Sequence, residues 1–116
     1  MIQNCKIVRT ELGYEDHPIL TCWLHLEGAG WAAVFGGVAL DEWDKALGKR
    51  IIMAKGFAAV KALMDTLEVK SWEKLQGQLI RAETEGSGNM CFKIGHLMKD
   101  KWFSFEEFFK GEEKQG

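Results

Sequence analysis

One proline, Pro18, stands in 116 residues. Cysteine is scarce: Cys5, Cys22 and Cys91, an odd number set far apart, form no disulfide framework. Each lies in an apolar, strand-like stretch, so buried reduced thiols are expected. No run approaches the ~20 consecutive apolar residues of a membrane-spanning helix. Residues 1–10 carry Lys6 and Arg9 and no long apolar core, so no signal peptide is expected there. A soluble, cytoplasmic chain with no membrane partner is the expectation. Neither sign of charge dominates, with 15 Lys+Arg against 17 Asp+Glu and a net of −2. Extended duplex nucleic acid, which selects a basic excess, is therefore not the expected partner.

The motifs of common enzymes are missing too. There is no Walker A loop, GxGxxG, HExxH, paired CxxC or GxSxG. His17, His25 and His96 have no metal-ligand spacing, although His25 and His96 are both expected in strands. Asp41, Glu42 and Asp44 cluster in an expected loop, where acids are usually solvated. No carboxylate pair stands out for acid–base work. No catalytic residue, metal or cofactor is expected.

What is present is apolar mass: 47% of residues are hydrophobic, with five Trp and seven Phe. Length and composition suit one domain over residues 1–116, with 111–116 a frayed polar tail. Residues 3–12 read as a strand. In residues 19–26, Leu20, Cys22, Leu24 and Leu26 share one face, and Ile19, Thr21, Trp23 and His25 the other. Residues 31–40 return as a third strand, interrupted by Gly36 and Gly37. Adjacent glycines there imply a bulge or a close approach. Residues 41–49 read as a loop.

Residues 51–67 read as the main helix, with Phe57, Val60, Leu63, Met64 and Leu67 along one face. Gly56 in its interior implies tight packing. A short helical turn at 71–75 precedes strands at 78–84 and 90–97, joined by a hairpin loop at 85–89. Ser104 and Glu107 form a capping box, with Phe103 and Phe108 in the staple positions. The order implies an α+β domain: a five-stranded antiparallel sheet, one long helix packed on it and a short C-terminal helix.

Charge is segregated along the chain. Residues 1–44 carry a net −5, residues 45–101 a net +5 and residues 102–116 a net −2. Lys49 and Arg50 fall near the expected helix N-terminus, where free N–H groups already favour an anion. Thirteen large aromatic rings exceed what one small core hides, so some belong at a subunit interface or a ligand. Phosphates need fixed cations, for which Lys49, Arg50, Arg81 and Lys93 are candidates. A flat base needs a ring, for which Trp31, Phe35 and Trp102 are candidates. Asn89 suits a base edge or a ribose.

Four segments carry a resemblance. Residues 12–21 (LGYEDHPILT) resemble an LGxEDHGIxT element, and residues 35–41 (FGGVALD) an FGGxxLD element. Residues 71–77 (SWEKLQG) resemble SWEDLKG, and residues 94–103 (IGHLMKDKWF) resemble IGHxxKDKWF. In order and spacing they are similar to a family of small phage proteins, identified as the first family of phage Thoeris anti-defence proteins. That resemblance implies a non-enzymatic sponge. Such proteins hold the cyclic ADP-ribose-type signal of bacterial TIR proteins, or in some members cyclic oligonucleotides, as homo-oligomers. Two departures bear on the ligand. Pro18 replaces the Gly of EDHG, and the run before FGG is the bulkier Gly28-Ala29-Gly30-Trp31-Ala32-Ala33-Val34. The competing reading is a phage inhibitor of a host defence protein, of the anti-CRISPR kind, whose contact would use Trp43 with Asp41, Glu42 and Asp44. An enzyme that cleaves the signal and a structural accessory protein stand behind it.

Overall fold

The computed structural model describes residues 1–14, 17–84 and 90–115. Three strands come first, each antiparallel to the one before: β1 (Ile2–Gly13), β2 (Thr21–Gly28) and β3 (Trp31–Ala39). A separate antiparallel ribbon follows, β4 (Asp41–Asp44) with β5 (Lys49–Ile52). Helix α1 (Ala54–Leu67) and a 3-10 turn at Trp72–Leu75 lead to β6 (Leu79–Glu83). Strands β7 (Met90–Cys91), β8 (Lys93–His96) and β9 (Trp102–Phe103) precede helix α2 (Phe105–Gln115).

The main sheet runs in the order β7-β3-β2-β1-β6-β8-β9. The chain itself ties its two sides together. Met90 and Cys91 run parallel to Val34 and Phe35 of β3, and after Phe92 the same segment turns antiparallel to β6. The Cys91 thiol reaches the Glu83 carbonyl of β6 at 3.6 Å. The sheet therefore curls into a partly open barrel. β1 serves two neighbours, β6 through residues 2–6 and β2 through residues 6–13, and a bulge between Ile7 and Arg9 bends it at the change.

The expected α+β class holds, but the sheet is mixed and has seven strands, with a two-stranded ribbon beside it. The strand expected at 90–97 is broken at Phe92, where it changes partner from β3 to β6. The loop expected at 41–49 is the hairpin β4–β5. Asp44 Oδ1 accepts the Leu47 amide at 2.8 Å and Gly48 takes φ +63°, which closes its turn. Ile51 and Ile52, β-branched, join that ribbon, so the helix starts at Ala54 rather than at residue 51. The tail expected at 111–116 is helical through Gln115. The hairpin loop expected at 85–89 lies outside the described residues.

The barrel interior holds Cys5, Ile7, Cys22, Leu24, Leu26, Phe35, Ile80, Ala82 and Ile94, all buried. Helix α1 adds Ala59, Val60, Leu63 and Leu67. It comes so close at Gly56 that a Cβ there would stand 2.7 Å from the Leu40 carbonyl oxygen. That approach turns the helix, and Phe57, expected in the core, is 54% exposed. Thr21, on the β2 face opposite Cys22, Leu24 and Leu26, is also buried, and its Oγ1 finds no partner among the described residues. At the C-terminus the N-cap half of the capping box forms: the Glu107 amide donates to Ser104 Oγ at 3.4 Å. Phe103 and Phe108 close the staple with centroids 5.9 Å apart.

Candidate functional site

Ile80, Ala82, Ile94 and Phe103 point into the barrel, so alternation turns Arg81, Lys93, Gly95 and Trp102 outward. Register then aligns three of these. Arg81 pairs with Gly95 across β6 and β8, and Gly95 pairs with Trp102 across β8 and β9. The bare Gly95 Cα lets the Trp102 indole lie down on the strand. A Cβ there would stand 2.6 Å from Trp102 Cε3. The same device recurs twice: Trp31 lies on its cross-strand partner Gly28, and Trp23, paired with Gly36, lies on Gly37. The close approach implied by the paired glycines is thus an indole of the neighbouring strand.

The Arg81 guanidinium carbon sits 4.6 Å from the Trp102 ring centroid, and Lys93 Nζ sits 5.9 Å from it. Trp102 Nε1 donates to Asp100 Oδ1 at 2.9 Å, which orients the ring. Arg81 Nε donates to the His96 carbonyl at 2.8 Å and Nη2 to the Lys99 carbonyl at 2.7 Å. Carbonyls fix the guanidinium without cancelling its charge. Among the described residues, Arg and Lys form ion pairs at Arg9, Arg50, Lys61, Lys99, Lys101 and Lys110, and at neither Arg81 nor Lys93. A hollow of about 110 Å3 adjoins Lys93, lined also by Glu83, Met90 and Phe92.

The other candidates lie elsewhere. Phe35 is 2% exposed, held between Phe103 and Phe105 at centroid distances of 6.2 and 5.3 Å, and is core rather than stacking surface. Trp31 packs against the core, with its indole nitrogen buried and unpartnered among the described residues. Lys49 and Arg50 belong to β5, not to a helix N-terminus. Lys49 is exposed there. Arg50 gives Nε and Nη2 to Asp41 Oδ1 at 3.0 and 2.8 Å, so its charge is matched. That hydrogen bond holds the Asp41 carboxyl below its usual range. Asn89 lies outside the described residues. The structure therefore brings together Arg81, Lys93 and Trp102. Gly95, His96 and Asp100, which complete that cluster, lay unremarked as site residues within the IGHLMKDKWF segment.

On the other face of β8, His96 meets the end of α1. Its Nε2 is 3.5 Å from Glu68 Oε2, which Lys99 also holds at 2.8 Å and Lys101 at 3.5 Å. The Lys99 ammonium, hydrogen-bonded to it, keeps the Glu68 carboxyl below its usual range. His25 is engaged separately, with Arg9 Nη2 at 3.2 Å and Glu11 at 3.6 Å. No group of three or more metal-ligating side chains occurs among the described residues. Burial pushes the Cys5 and Cys22 thiols up to about 12 and raises Cys91, so these thiols stay protonated at neutral pH. No described helix is long and apolar enough to cross a membrane. The chain matches no protein-family model, no curated protein and no solved structure.

Proposed function

We propose that this is a phage anti-defence protein that binds a small cyclic nucleotide immune signal and sequesters it without turnover. The signal is of the cyclic ADP-ribose type, with cyclic oligonucleotides as the related class. The protein acts in the host cytoplasm as a homo-oligomer. The observation that carries the binding reading is the pair of unmatched cations, Arg81 and Lys93, set against one indole on a fixed β register. Phosphates take the two charges, and the indole–guanidinium stack receives a base. Stacking of one base is worth ~1–3 kcal/mol, and it tolerates any base because each has a π-face. Retention needs neither a metal nor an activated nucleophile. The four sequence elements that resemble the sponge family point to the same class of ligand.

Native mass spectrometry against a panel of cyclic nucleotides tests this, with ligand recovered from denatured protein to check that it is intact. Lys93→Glu is the informative variant, because Arg81 also anchors two backbone carbonyls. We expect Lys93→Glu to keep the wild-type oligomer and melting curve while weakening binding by on the order of tenfold or more, the worth of a charge-assisted contact. Equal affinity in wild type and variant removes this platform from the site, and recovery of cleaved product refutes sequestration.

A second reading, an inhibitor of a host defence protein, draws on the ribbon. Trp43 is 58% exposed there, beside Glu42 and with Leu47 and Ile52 also exposed. Asp41 is excluded from such a patch, since it is buried against Arg50. A stoichiometric host protein that co-purifies with the wild type and is lost with Trp43→Ala would favour this reading over the sponge.

A further inference from the structure

The Arg81 guanidinium is held by two carbonyls, those of His96 and Lys99. Both acceptors belong to the segment that turns from β8 into β9. That turn is short and polar, and its backbone is tied within itself: the His96 amide donates to the Lys101 carbonyl and the Lys101 amide to the Lys99 carbonyl, both at 2.9 Å. A third tie comes from a side chain. His96 Nδ1 accepts the amides of Met98 and Lys99, each at 3.1 Å. Two N–H groups pointing at one ring nitrogen require a lone pair there. The ring proton of the neutral imidazole therefore belongs on Nε2, which faces the Glu68 carboxylate at 3.5 Å. Lys99 and Lys101 converge on that same carboxylate. The imidazole thus bridges the C-terminal end of α1 to the turn, from the face of β8 opposite Arg81.

We propose that His96, locked as its Nε2–H tautomer, is a positioning residue for Arg81: its Nδ1 folds the 97–101 turn and so fixes the carbonyls that hold the guanidinium on Trp102. The binding consequence rests on the ligand reading above, whereas the tautomer and the turn do not. The chemistry resembles an Asx turn, in which a side-chain oxygen accepts an amide two residues ahead. Asparagine offers an acceptor near the place of Nδ1, and leucine offers none. This difference separates the acceptor role from simple space-filling.

The test uses the full chain in two variants, His96→Asn and His96→Leu, with cyclic ADP-ribose as the probe. Ring-nitrogen NMR of the wild type should show that the neutral ring carries its proton on Nε2 and leaves Nδ1 bare. Proton exchange at the Arg81 Nε–H and at the Met98 and Lys99 amides should be slow in the wild type and in His96→Asn, and fast in His96→Leu. Affinity should stay within about threefold of wild type in His96→Asn and fall on the order of tenfold in His96→Leu, as the loss of one fixed charge-assisted contact predicts. Three results overturn the proposal: a proton on Nδ1, an Arg81 Nε–H that exchanges equally slowly in His96→Leu, or equal impairment of both variants. If His96→Leu does not fold, the tautomer and the His96→Asn exchange decide. A wild type that shows the tautomer and the protected Arg81 but binds no cyclic ADP-ribose would count against the ligand and leave the positioning role standing.

Discussion

Gly95→Ala isolates the contact on which the candidate site is built. Gly95 has no left-handed backbone to lose, so the new methyl group acts through space alone. It would stand 2.6 Å from Trp102 Cε3 and 2.7 Å from Cδ2, atoms in the body of the indole rather than at a flexible end. The ring must lift. Overfilling of this kind costs ~1–3 kcal/mol, and displacing the ring from Arg81 adds ~0.5–1 kcal/mol of lost cation–π attraction. Alanine returns about 0.5–1 kcal/mol, since glycine loses more chain entropy on folding. The last two cancel, so the net loss is about 1–3 kcal/mol. At about 4 °C per kcal/mol for a chain of 116 residues, Tm should fall by roughly 4–12 °C. Thermal melting with circular dichroism reads the loss. The Trp102 Nε1–H resonance, bonded to Asp100, reads the displacement. In a Trp102→Leu background the same alanine should cost little, because the two residues share one contact. A Gly95→Ala protein that melts with the wild type and leaves that resonance unmoved would refute the stacking geometry.

Thr21→Val removes a buried hydroxyl that has no partner among the described residues. It should raise stability by about 1 kcal/mol in urea titration, the desolvation of an unmet polar group, and a loss of stability would show that Oγ1 is satisfied. Asp41 is ionised more readily in the folded state, because Arg50 bonds it. Its contribution is therefore complete above the unfolded carboxyl value of ~3.9 and is lost as pH falls through the lower folded value. Asp41→Asn should start less stable at pH 7 and lose less Tm than the wild type on acidification through that window; parallel acid curves would contradict this. The Cys5 and Cys22 thiols, pushed up to about 12 by burial, should resist a disulfide reagent at pH 8 in the native protein and react once urea unfolds it. Rapid native labelling of Cys22 would show that its strand opens.

Much of the fold was legible because it rests on local chemistry. Alternation in β2 put Cys22, Leu24 and Leu26 on the inward face, and all three are buried. The Ser104 cap on the Glu107 amide and the staple of Phe103 with Phe108 formed as their spacing requires. What stayed hidden depended on contacts far apart in sequence. Nothing local at Phe92 says that the strand changes partner there, since the change is forced by barrel closure. The start of α1 was obscured because residues 51 and 52 continue the apolar pattern of the helix while pairing with Glu42 and Asp41 across the ribbon. Phe57 fits the helical stripe by spacing, yet the approach of Gly56 to Leu40 rotates it outward.

For the site the decisive quantity is register. The basic middle of the chain supplies cations in plenty, but their fates differ with their neighbours. Arg50 ends on Asp41, Lys61 on Asp65, and Lys99 and Lys101 on Glu68. Arg81 escapes that cancellation because its cross-strand neighbours are Asn4 and Gly95, neither of them acidic. Lys93 stands opposite Glu83 without closing an ion pair to it. A slip of one residue between β6 and β8 would send either cation to the barrel interior, since side chains alternate faces with period two. Composition alone cannot see this, because the same residues one step out of register would set one of the two cations inside the barrel. The platform of Arg81, Lys93 and Trp102 is therefore a product of the β6–β8 and β8–β9 pairings. The placement of its guanidinium depends on the turn at 97–101, the segment that carries the Lys99 carbonyl to Arg81.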